Sequence, residues 1–307
     1  MFWGAHGFIL AQTQATPGEP PPAPHYVGSN ACKSCHPDVF STFYRNPHFK
    51  SIAAGNLPPE KTGCESCHGP GSAHVEARGG KKTIPHAFSI MPSKAVLEDC
   101  LSCHSLDVTR ANIERSEHTK HDIACNTCHS IHRAATPKFL LAKVQHELCY
   151  QCHGNVRAQF SMPSKHRVNE GFMECSDCHN PHGTNNPTWR MGLRPRMVDQ
   201  ARSNEEACLK CHFEKRGPFI YEHPATRADG CETCHQPHGS TNPRLLRRPV
   251  VFTLCLECHN GQGNFGRAGT GIPTQTPDHN MAFARFQNCT SCHVRIHGSN
   301  ADPFFLR

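Results

Sequence analysis

Cysteine and histidine are the residues of this sequence that could do chemistry, and their spacing is regular. All twenty cysteines fall into ten Cys-x-x-Cys pairs, and a histidine follows each pair immediately. The pairs are Cys32 and Cys35, Cys64 and Cys67, Cys100 and Cys103, Cys125 and Cys128, Cys149 and Cys152, Cys175 and Cys178, Cys208 and Cys211, Cys231 and Cys234, Cys255 and Cys258, and Cys289 and Cys292. The histidines are His36, His68, His104, His129, His153, His179, His212, His235, His259 and His293.

A Cys-x-x-Cys-His segment has the spacing that attaches a c-type haem. The two thiols add to the two haem vinyl groups as thioethers, and the histidine supplies an axial imidazole to the iron. Zinc ribbons also use Cys-x-x-Cys pairs, but they do not require a histidine after each one. Thioredoxin-like sites use a single pair, and disulfide scaffolds have irregular spacings. The sequence therefore predicts ten covalently attached haems.

A second set of histidines recurs between the motifs, which we number one to ten along the chain. Each odd-numbered motif is followed by a leading histidine, then by an even-numbered motif, then by a trailing histidine. These ten are His48, His74, His118, His132, His166, His182, His223, His238, His279 and His297. The flanks repeat as well, since residues 175–187 read CSDCHNPHGTNNP and residues 231–243 read CETCHQPHGSTNP. We interpret the ten histidines as distal ligands, which would give every iron two imidazoles.

Three further histidines compete for these roles or are left over: His86, His121 and His146. His86 could replace His74, and His121 could replace His118. We favour His118 because its distance to the next cysteine resembles the distance in later repeats. We expect each leading histidine to serve the haem of the motif that follows it. Each trailing histidine would then serve the preceding odd-numbered haem.

The composition is poor in residues that build a core. Hydrophobic residues make up 36% and aromatic residues 7%, whereas an ordinary globular chain is about half apolar. The haems must therefore supply the buried surface, and we expect no fold without them. The formal charge is +7. The propionates bring each ferric haem to roughly −1, so ten haems would shift the total to about −3, and we predict no nucleic-acid partner.

The ends and halves of the chain differ in composition. Residues 1–15 are apolar and then small, as at the end of a secretory signal, but they lack the basic start of one, as in a truncated signal. Residues 16–27 form a proline-rich linker. Residues 28–160 and 161–307 would be two pentahaem halves, because Met-Pro-Ser-Lys recurs at 91–94 and 162–165. No apolar run is long enough for a transmembrane helix.

The 23 glycines and 25 prolines break most windows in which regular secondary structure could form. We expect a multihaem cytochrome that is mostly coil, with short α-helices and essentially no β-sheet. Helices are predicted near residues 37–45, 94–104, 138–153 and 204–212. Stacked haems wrapped by such a chain would make an elongated wire.

The motif content resembles the MtrA/DmsE family of periplasmic decahaem c-type cytochromes. The resemblance rests on ten motifs in about 300 residues, on the CxxCHxPHG segments and on the opening GSNACKSCHPDVFSTFYRNPH, and it covers roughly residues 28–300. It implies electron transfer across the outer membrane inside a β-barrel porin. The implied partners are an outer-surface multihaem cytochrome or a terminal reductase, and an inner-membrane or periplasmic cytochrome donor. The implied location is the periplasm, in association with the outer membrane.

Two other functions stay open on the sequence. One is a soluble periplasmic electron shuttle that needs no barrel. The other is a multihaem oxyanion reductase, which requires an iron with an open position, often marked by a Cys-x-x-Cys-Lys motif. None of the ten motifs ends in lysine, so we expect an electron-transfer protein rather than an enzyme.

Overall fold

The computed structural model describes residues 23–52, 62–183, 207–259 and 283–306. The signal-like residues 1–15, most of the linker and His279 lie outside these ranges. Within them the α-helices are α1 Ser29–Lys33, α2 Pro37–Phe43, α3 Pro47–Ile52, α4 Glu65–His68, α5 Ser72–Glu76, α6 Ser93–His104, α7 Glu117–Lys120, α8 Cys125–Cys128, α9 Gln145–Cys149, α10 Gly154–Gln159 and α11 Val251–Leu256. The strands are β1 Ser164–Lys165, β2 Tyr221–Glu222, β3 Gly239–Ser240 and β4 Gly298–Ser299. The prediction of coil with short helices and almost no sheet is confirmed.

Two of the predicted helices form where the local signals place them. Helix α2 begins at Pro37, with Asp38 in its first turn, because proline is favoured at the first helical position and an acidic residue complements the helix dipole. Helix α6 has 12 residues and ends on His104. The last residue of the third motif is therefore also the last residue of a helix.

The prediction of one helix over residues 138–153 is wrong. Phe139 and Leu140 have φ angles of 60° and 52°, and this left-handed conformation cannot continue a right-handed helix. A 3-10 turn at Lys138–Leu140 is followed by the short helix α9. In the predicted helix at 204–212, residues 204–206 lie outside the described ranges, and Ala207–Lys210 is a 3-10 turn.

The chain divides into two compact units, Met1–Ile90 and Met91–Arg307. In the first unit the buried carboxylate of Glu65 fixes the end of the linker. It accepts hydrogen bonds from the backbone N–H groups of Val27 at 3.0 Å, Gly28 at 2.7 Å and Gly71 at 2.8 Å. Because Glu65 is part of the second motif, these bonds hold the chain before the first motif against the second.

In the second unit a small apolar cluster contains Tyr150, Phe160 and Val168. Its members come from both sides of position 160, where the sequence predicts the boundary between two pentahaem halves. The boundary between the two compact units lies at 90/91 instead. The division into pentahaem halves stays a prediction.

Two small antiparallel sheets join distant parts of the second unit. Strand β1 pairs with β3, with Ser164 opposite Ser240, and β2 pairs with β4, with Tyr221 opposite Ser299. Each pair places the segment just before a leading histidine beside the segment just after a trailing histidine. The sheets therefore position the second set of histidines.

Few apolar side chains are buried in the described part of the chain. They are Ala87, Val96, Leu97, Ala124, Tyr150, Phe160, Val168 and Ala207. A chain of this length normally buries most of its apolar surface in a continuous core. The polypeptide alone does not supply that surface. Among the described helices, none is long and apolar enough to cross a membrane.

Candidate haem-binding sites

Each motif folds into one tight turn that brings its three functional side chains together. In every motif outside α6, the backbone N–H of the histidine donates to the carbonyl of the first cysteine at 2.8–3.1 Å. Helix α6 contains the third motif and gives it the same helical turn. Both thiols and the imidazole of a motif are therefore presented from a single turn, as haem attachment requires.

Seven motif histidines each face a histidine of the second set. The pairs are His36 with His74, His153 with His118, His129 with His182, His212 with His166, His179 with His238, His259 with His223, and His235 with His297. Their ring centroids lie 5.8–6.5 Å apart. A metal–imidazole bond of about 2.0–2.1 Å on each side, plus the ring radii, gives two trans imidazoles a centroid separation of about 6 Å. The spacing fits one iron between each pair.

The pairing differs from the order that the sequence suggests. His118 faces His153 rather than the next motif histidine, and His182 faces His129 rather than His153. The same arrangement recurs in the next two repeats, so the predicted assignment of leading and trailing histidines is wrong there. Among these pairs only His74, which faces His36, serves the expected site.

Backbone packing explains why the trailing histidines face other motif histidines than the sequence order suggests. Three trailing segments, at His182, His238 and His297, lie against the leading segment of the preceding repeat. A side chain at Gly183 would approach the carbonyl of Asn112 to 2.8 Å, and a side chain at Gly239 would overlap the carbonyl of Gln159. Only glycine permits this approach. The trailing histidine next to each glycine is therefore carried to a site of the preceding repeat.

The leading histidines are oriented through Nδ1. His118 Nδ1 donates to the carbonyl of Pro181 at 2.9 Å, and His166 Nδ1 donates to that of Pro237 at 2.6 Å. Histidines that bind metals commonly donate their second ring N–H to such an acceptor, which fixes the tautomer. The Nε2 lone pair is then available for iron.

Four of the five even-numbered motif histidines are oriented in the same way. Their Nδ1 atoms meet backbone carbonyls at 2.5–2.9 Å. The contacts are His68 with His86, His129 with Phe139, His235 with Arg244 and His293 with Phe304. The leftover His86 therefore acts through its main chain on His68, whereas it is His74 that faces His36.

Three of these carbonyls belong to three similar strained loops, one after each of motifs four, eight and ten, which the sequence analysis did not predict. Phe139, Arg244 and Phe305 have φ angles of 60°, 58° and 60°, a conformation that costs a non-glycine residue about 1–3 kcal/mol. The signal was present in the sequence, since each loop begins with proline and continues with large residues, as PKFL, PRLL and PFFL. The strain is stored where the loop meets the motif histidine.

Burial keeps five of the facing imidazoles neutral. It lowers the pKa of His182 to about 4, with further contributions from His129 and Arg110, and it lowers the pKa of His297 to about 4 as well. Burial also lowers the pKa of His179, His223 and His238. A neutral imidazole keeps the lone pair that a metal needs.

The other histidines have less direct roles or less defined partners. His48 lies on α3 with Nδ1 3.1 Å from Asn46 Oδ1, and His132 lies three residues beyond the fourth motif; their ligand roles stay predictions. The backbone N–H of His121 donates to carbonyls at the end of α7. His146 packs its ring against Tyr150.

Within the second unit, several motifs that follow one another in the sequence are neighbours in space. The thiols of Cys149 and Cys175 hydrogen-bond to one another, which raises the pKa of Cys149 and lowers that of Cys175. A hydrogen bond from Cys100 likewise lowers the pKa of Cys125 to about 7. Attachment to haem would convert these thiols to thioethers. Odd and even sites of a pair are therefore adjacent.

The chain of neighbours continues from pair to pair. Burial raises the pKa of the second cysteine in motifs four, six and eight, and a thiol of the following motif raises it further. The neighbouring thiols are Cys128 and Cys149, Cys178 and Cys208, and Cys234 and Cys258. The described residues contain no group of three or more side chains that could hold a free metal ion. Imidazoles that face each other in pairs suit a metal whose other ligands come from a macrocycle.

Known proteins share this organisation. The doubled CXXCH motif family matches residues 118–158, 166–217 and 223–264, and the cytochrome c554 and c-prime family matches residues 72–130. The multiheme cytochrome MtrA of Shewanella baltica (strain OS185) is 33% identical over 281 residues, which cover 89% of this chain and 79% of that protein. The chain belongs to the MtrA family of multihaem c-type cytochromes. Its cysteine pairs bind c-type haem covalently, and it is an electron-transfer protein, not an enzyme.

The doubled-motif matches also indicate where each repeat begins and ends in this MtrA-family chain. They begin at His118, His166 and His223, which are the leading histidines. Within each match the leading histidine faces the last motif histidine of the same match. His182 and His238 instead face motif histidines of the preceding match. The natural repeat is therefore shifted by one motif from the pairs read from the sequence.

Proposed function

We propose that this protein carries electrons across the outer membrane through ten haem c groups, each held by two histidines, inside a porin-type barrel partner. A haem supplies one-electron chemistry at its iron when it is bound. The observation that carries the proposal is the set of facing imidazoles, because two axial histidines leave an iron no open position for a substrate.

The order of the sites supports conduction along the chain. A thiol–thiol hydrogen bond links motif three to four and motif five to six, and the charge of a thiol in motif five or seven raises the pKa of Cys128 in motif four or of Cys178 in motif six. Consecutive motifs in this part of the second unit are therefore close to one another. A row of closely spaced electron carriers suits a path with an entry and an exit at opposite ends.

The surface of the polypeptide supports a barrel partner. Among the described residues no helix could span a membrane, and many side chains are charged, with 32 basic and 25 acidic residues in the sequence. A polar chain of this kind needs an enclosing protein to cross a hydrocarbon layer, because unsatisfied backbone groups are costly there. We propose a periplasmic protein associated with the outer membrane. Its partners would be a periplasmic or inner-membrane cytochrome donor and an outer-surface multihaem cytochrome or terminal reductase.

Haem content and iron ligation are tested on the purified full-length protein. We expect ten haems per chain by pyridine haemochrome analysis and mass spectrometry, and a purely low-spin ferric spectrum at room and low temperature. A count of eight or nine haems would contradict the ligand assignment. A high-spin ferric signal in the intact protein would show an open iron and would contradict closed ligation.

The barrel partner is tested by isolating the tagged protein from detergent-solubilised outer membranes. We expect a β-barrel protein to copurify in stoichiometric amount, identified by its heat-dependent mobility in gels. Matched outer membranes from cells that lack the tagged chain are the control. Quantitative release of the protein with the periplasmic fraction, with no barrel attached, would instead indicate a soluble shuttle.

A further inference from the structure

Two charged side chains of opposite sign lie against Nδ1 of motif histidines. Arg110 Nη2 is 3.4 Å from His104 Nδ1, and Glu214 Oε1 is 3.9 Å from His212 Nδ1. In four of the five even-numbered motifs the same atom meets an uncharged backbone carbonyl. The third and seventh sites therefore differ from those motifs, and from each other, in the charge beside the ligand.

The chain holds the Arg110 guanidinium in place. Its Nε donates to the carbonyl of His104 at 3.2 Å, and its Nη2 donates to Asp107 Oδ2 at 2.8 Å. Asp107 is fixed in turn, because its carboxylate accepts the backbone N–H of Thr109 at 2.8 Å. The Arg110 side chain is only 26% exposed, so solvent screens its charge incompletely.

The field of Arg110 reaches a second site. The guanidinium contributes to the low pKa of His182 after burial and His129, and it contributes to the low pKa of Cys125. His182 faces the histidine of the fourth motif, and Cys125 begins that motif. The charge of Arg110 therefore acts on the fourth site as well as on the third.

Charge beside an axial histidine shifts the reduction potential of the haem in a known direction. An acceptor at Nδ1 makes the imidazole a stronger electron donor, which favours the oxidised iron. A guanidinium at the same nitrogen opposes that donation, and its positive charge disfavours the additional positive charge of the oxidised state. A carboxylate does the reverse.

We propose that Arg110 raises the reduction potential of the haem at Cys100, and that Glu214 lowers that of the haem at Cys208. The proposal rests on the proposed function, in which these sites hold haems. Each iron takes one electron from an external reductant and returns it to an oxidant, with no bond formed or broken. Asp107 and Lys215, which pair with the two tuning residues, oppose both effects. The chain itself then makes the third site easier to reduce than the seventh.

The test is a redox titration of the full-length holoprotein, followed by visible absorbance and low-temperature EPR. We expect R110Q to move the absorbance contributed by one or two of the ten haems to lower potential. The variant R110K keeps the charge and should leave the curve close to that of the wild type. We expect E214Q to move the contribution of one haem to higher potential. The control R115Q removes an equal charge from an exposed position five residues away and should leave the curve unchanged.

Each outcome decides a separate point. If R110Q and R115Q give superimposable titrations while ten low-spin haems are retained, the tuning role is wrong and the proposed function stands. If R110K shifts the curve as much as R110Q, the effect comes from the lost cap on α6 rather than from charge, and the proposal is overturned. A wild-type protein with fewer than ten haems, or with high-spin haem, would contradict the proposed function instead.

Discussion

At the scale of single residues, one hydrogen bond connects neighbouring sites. His118 faces His153 and donates through Nδ1 to the carbonyl of Pro181, the residue directly before His182. His182 faces His129. The same relation recurs in the next repeat, where His166 donates to Pro237. The proline in the CxxCHxPHG segment therefore presents a carbonyl that orients the distal histidine of an adjacent site.

The pairing of His182 with His129 gives a test that can distinguish sites. We expect H182A to retain ten haems and to show one high-spin ferric haem, because one iron loses its distal imidazole. If Cys125 and Cys128 are also replaced by alanine, the protein should carry nine haems and the high-spin signal should disappear. EPR and haem quantification measure both quantities.

The matched control removes a different haem. Combining H182A with replacement of Cys149 and Cys152 should also give nine haems, but the high-spin signal should persist. The opposite pattern would assign His182 to the fifth motif, as the sequence order suggests. The single variant H121A should stay fully low-spin, since His121 contributes backbone contacts at the end of α7.

The sequence predicts the members of the candidate sites better than their pairing. The motif cysteines and histidines follow from a local covalent pattern, and the second set of histidines follows from its repetition. The partner of His182, however, depends on a close approach between Gly183 and Asn112, which are 71 residues apart along the chain. No local spacing rule reports such a contact.

At the scale of elements, the glycines that follow three trailing histidines, His182, His238 and His297, fix how the repeats join. A side chain at Gly239 would overlap the carbonyl oxygen of Gln159, and one at Gly298 would overlap the ring of Phe219. Both glycines belong to the two-residue strands β3 and β4. Such short strands would be marginal alone, so the absent side chain is what allows them to pair.

The variant G239A tests this packing. We expect it to destabilise the holoprotein by about 1–3 kcal/mol, the usual cost of forcing atoms into a filled space. We also expect partial high-spin character at the sixth site, because His238 is displaced. Thermal melting and the ferric spectrum measure the two effects.

The variant G154A is the control for that experiment. A side chain at Gly154, in the first turn of α10, would meet nothing within 4 Å. Its melting temperature should equal or exceed that of the wild type, since alanine restricts the unfolded chain. Equal stability of G239A and G154A would show that the sheets do not depend on this contact.

Helix α2 and helix α6 could be predicted from a proline start and a continuous helical pattern. The break at Phe139 and the short sheets could not. Phe139 adopts its left-handed conformation while its carbonyl accepts Nδ1 of His129, so a contact with the site overrides local preference. Strands of two residues carry no periodic pattern at all.

At the scale of the whole molecule, the haems must contribute much of the buried surface. Among the described residues the buried apolar side chains are few, and large ones such as Leu106 and Phe213 are 92% and 71% exposed. We therefore expect chain produced without haem attachment to show no cooperative melting by circular dichroism and to be digested rapidly by protease. The matured protein is the control. A sharp melting transition of the haem-free chain would contradict this account.

The facing histidines also predict how the repeats are tied to one another. The His166–His212 pair lies within residues 166–217, whereas the His179–His238 pair joins those residues to residues 223–264. An iron bound by both members of a pair acts as a cross-link, and in repeat proteins the interfaces between units carry cooperativity. We therefore expect H238A to broaden or split the thermal transition, while H166A lowers its midpoint without splitting it. Each variant should retain ten haems with one high-spin iron. Both variants therefore lose one distal ligand, and they differ only in whether the lost cross-link lies within a repeat or between two repeats. Identical transitions in the two variants would show that the trailing histidines do not couple the repeats.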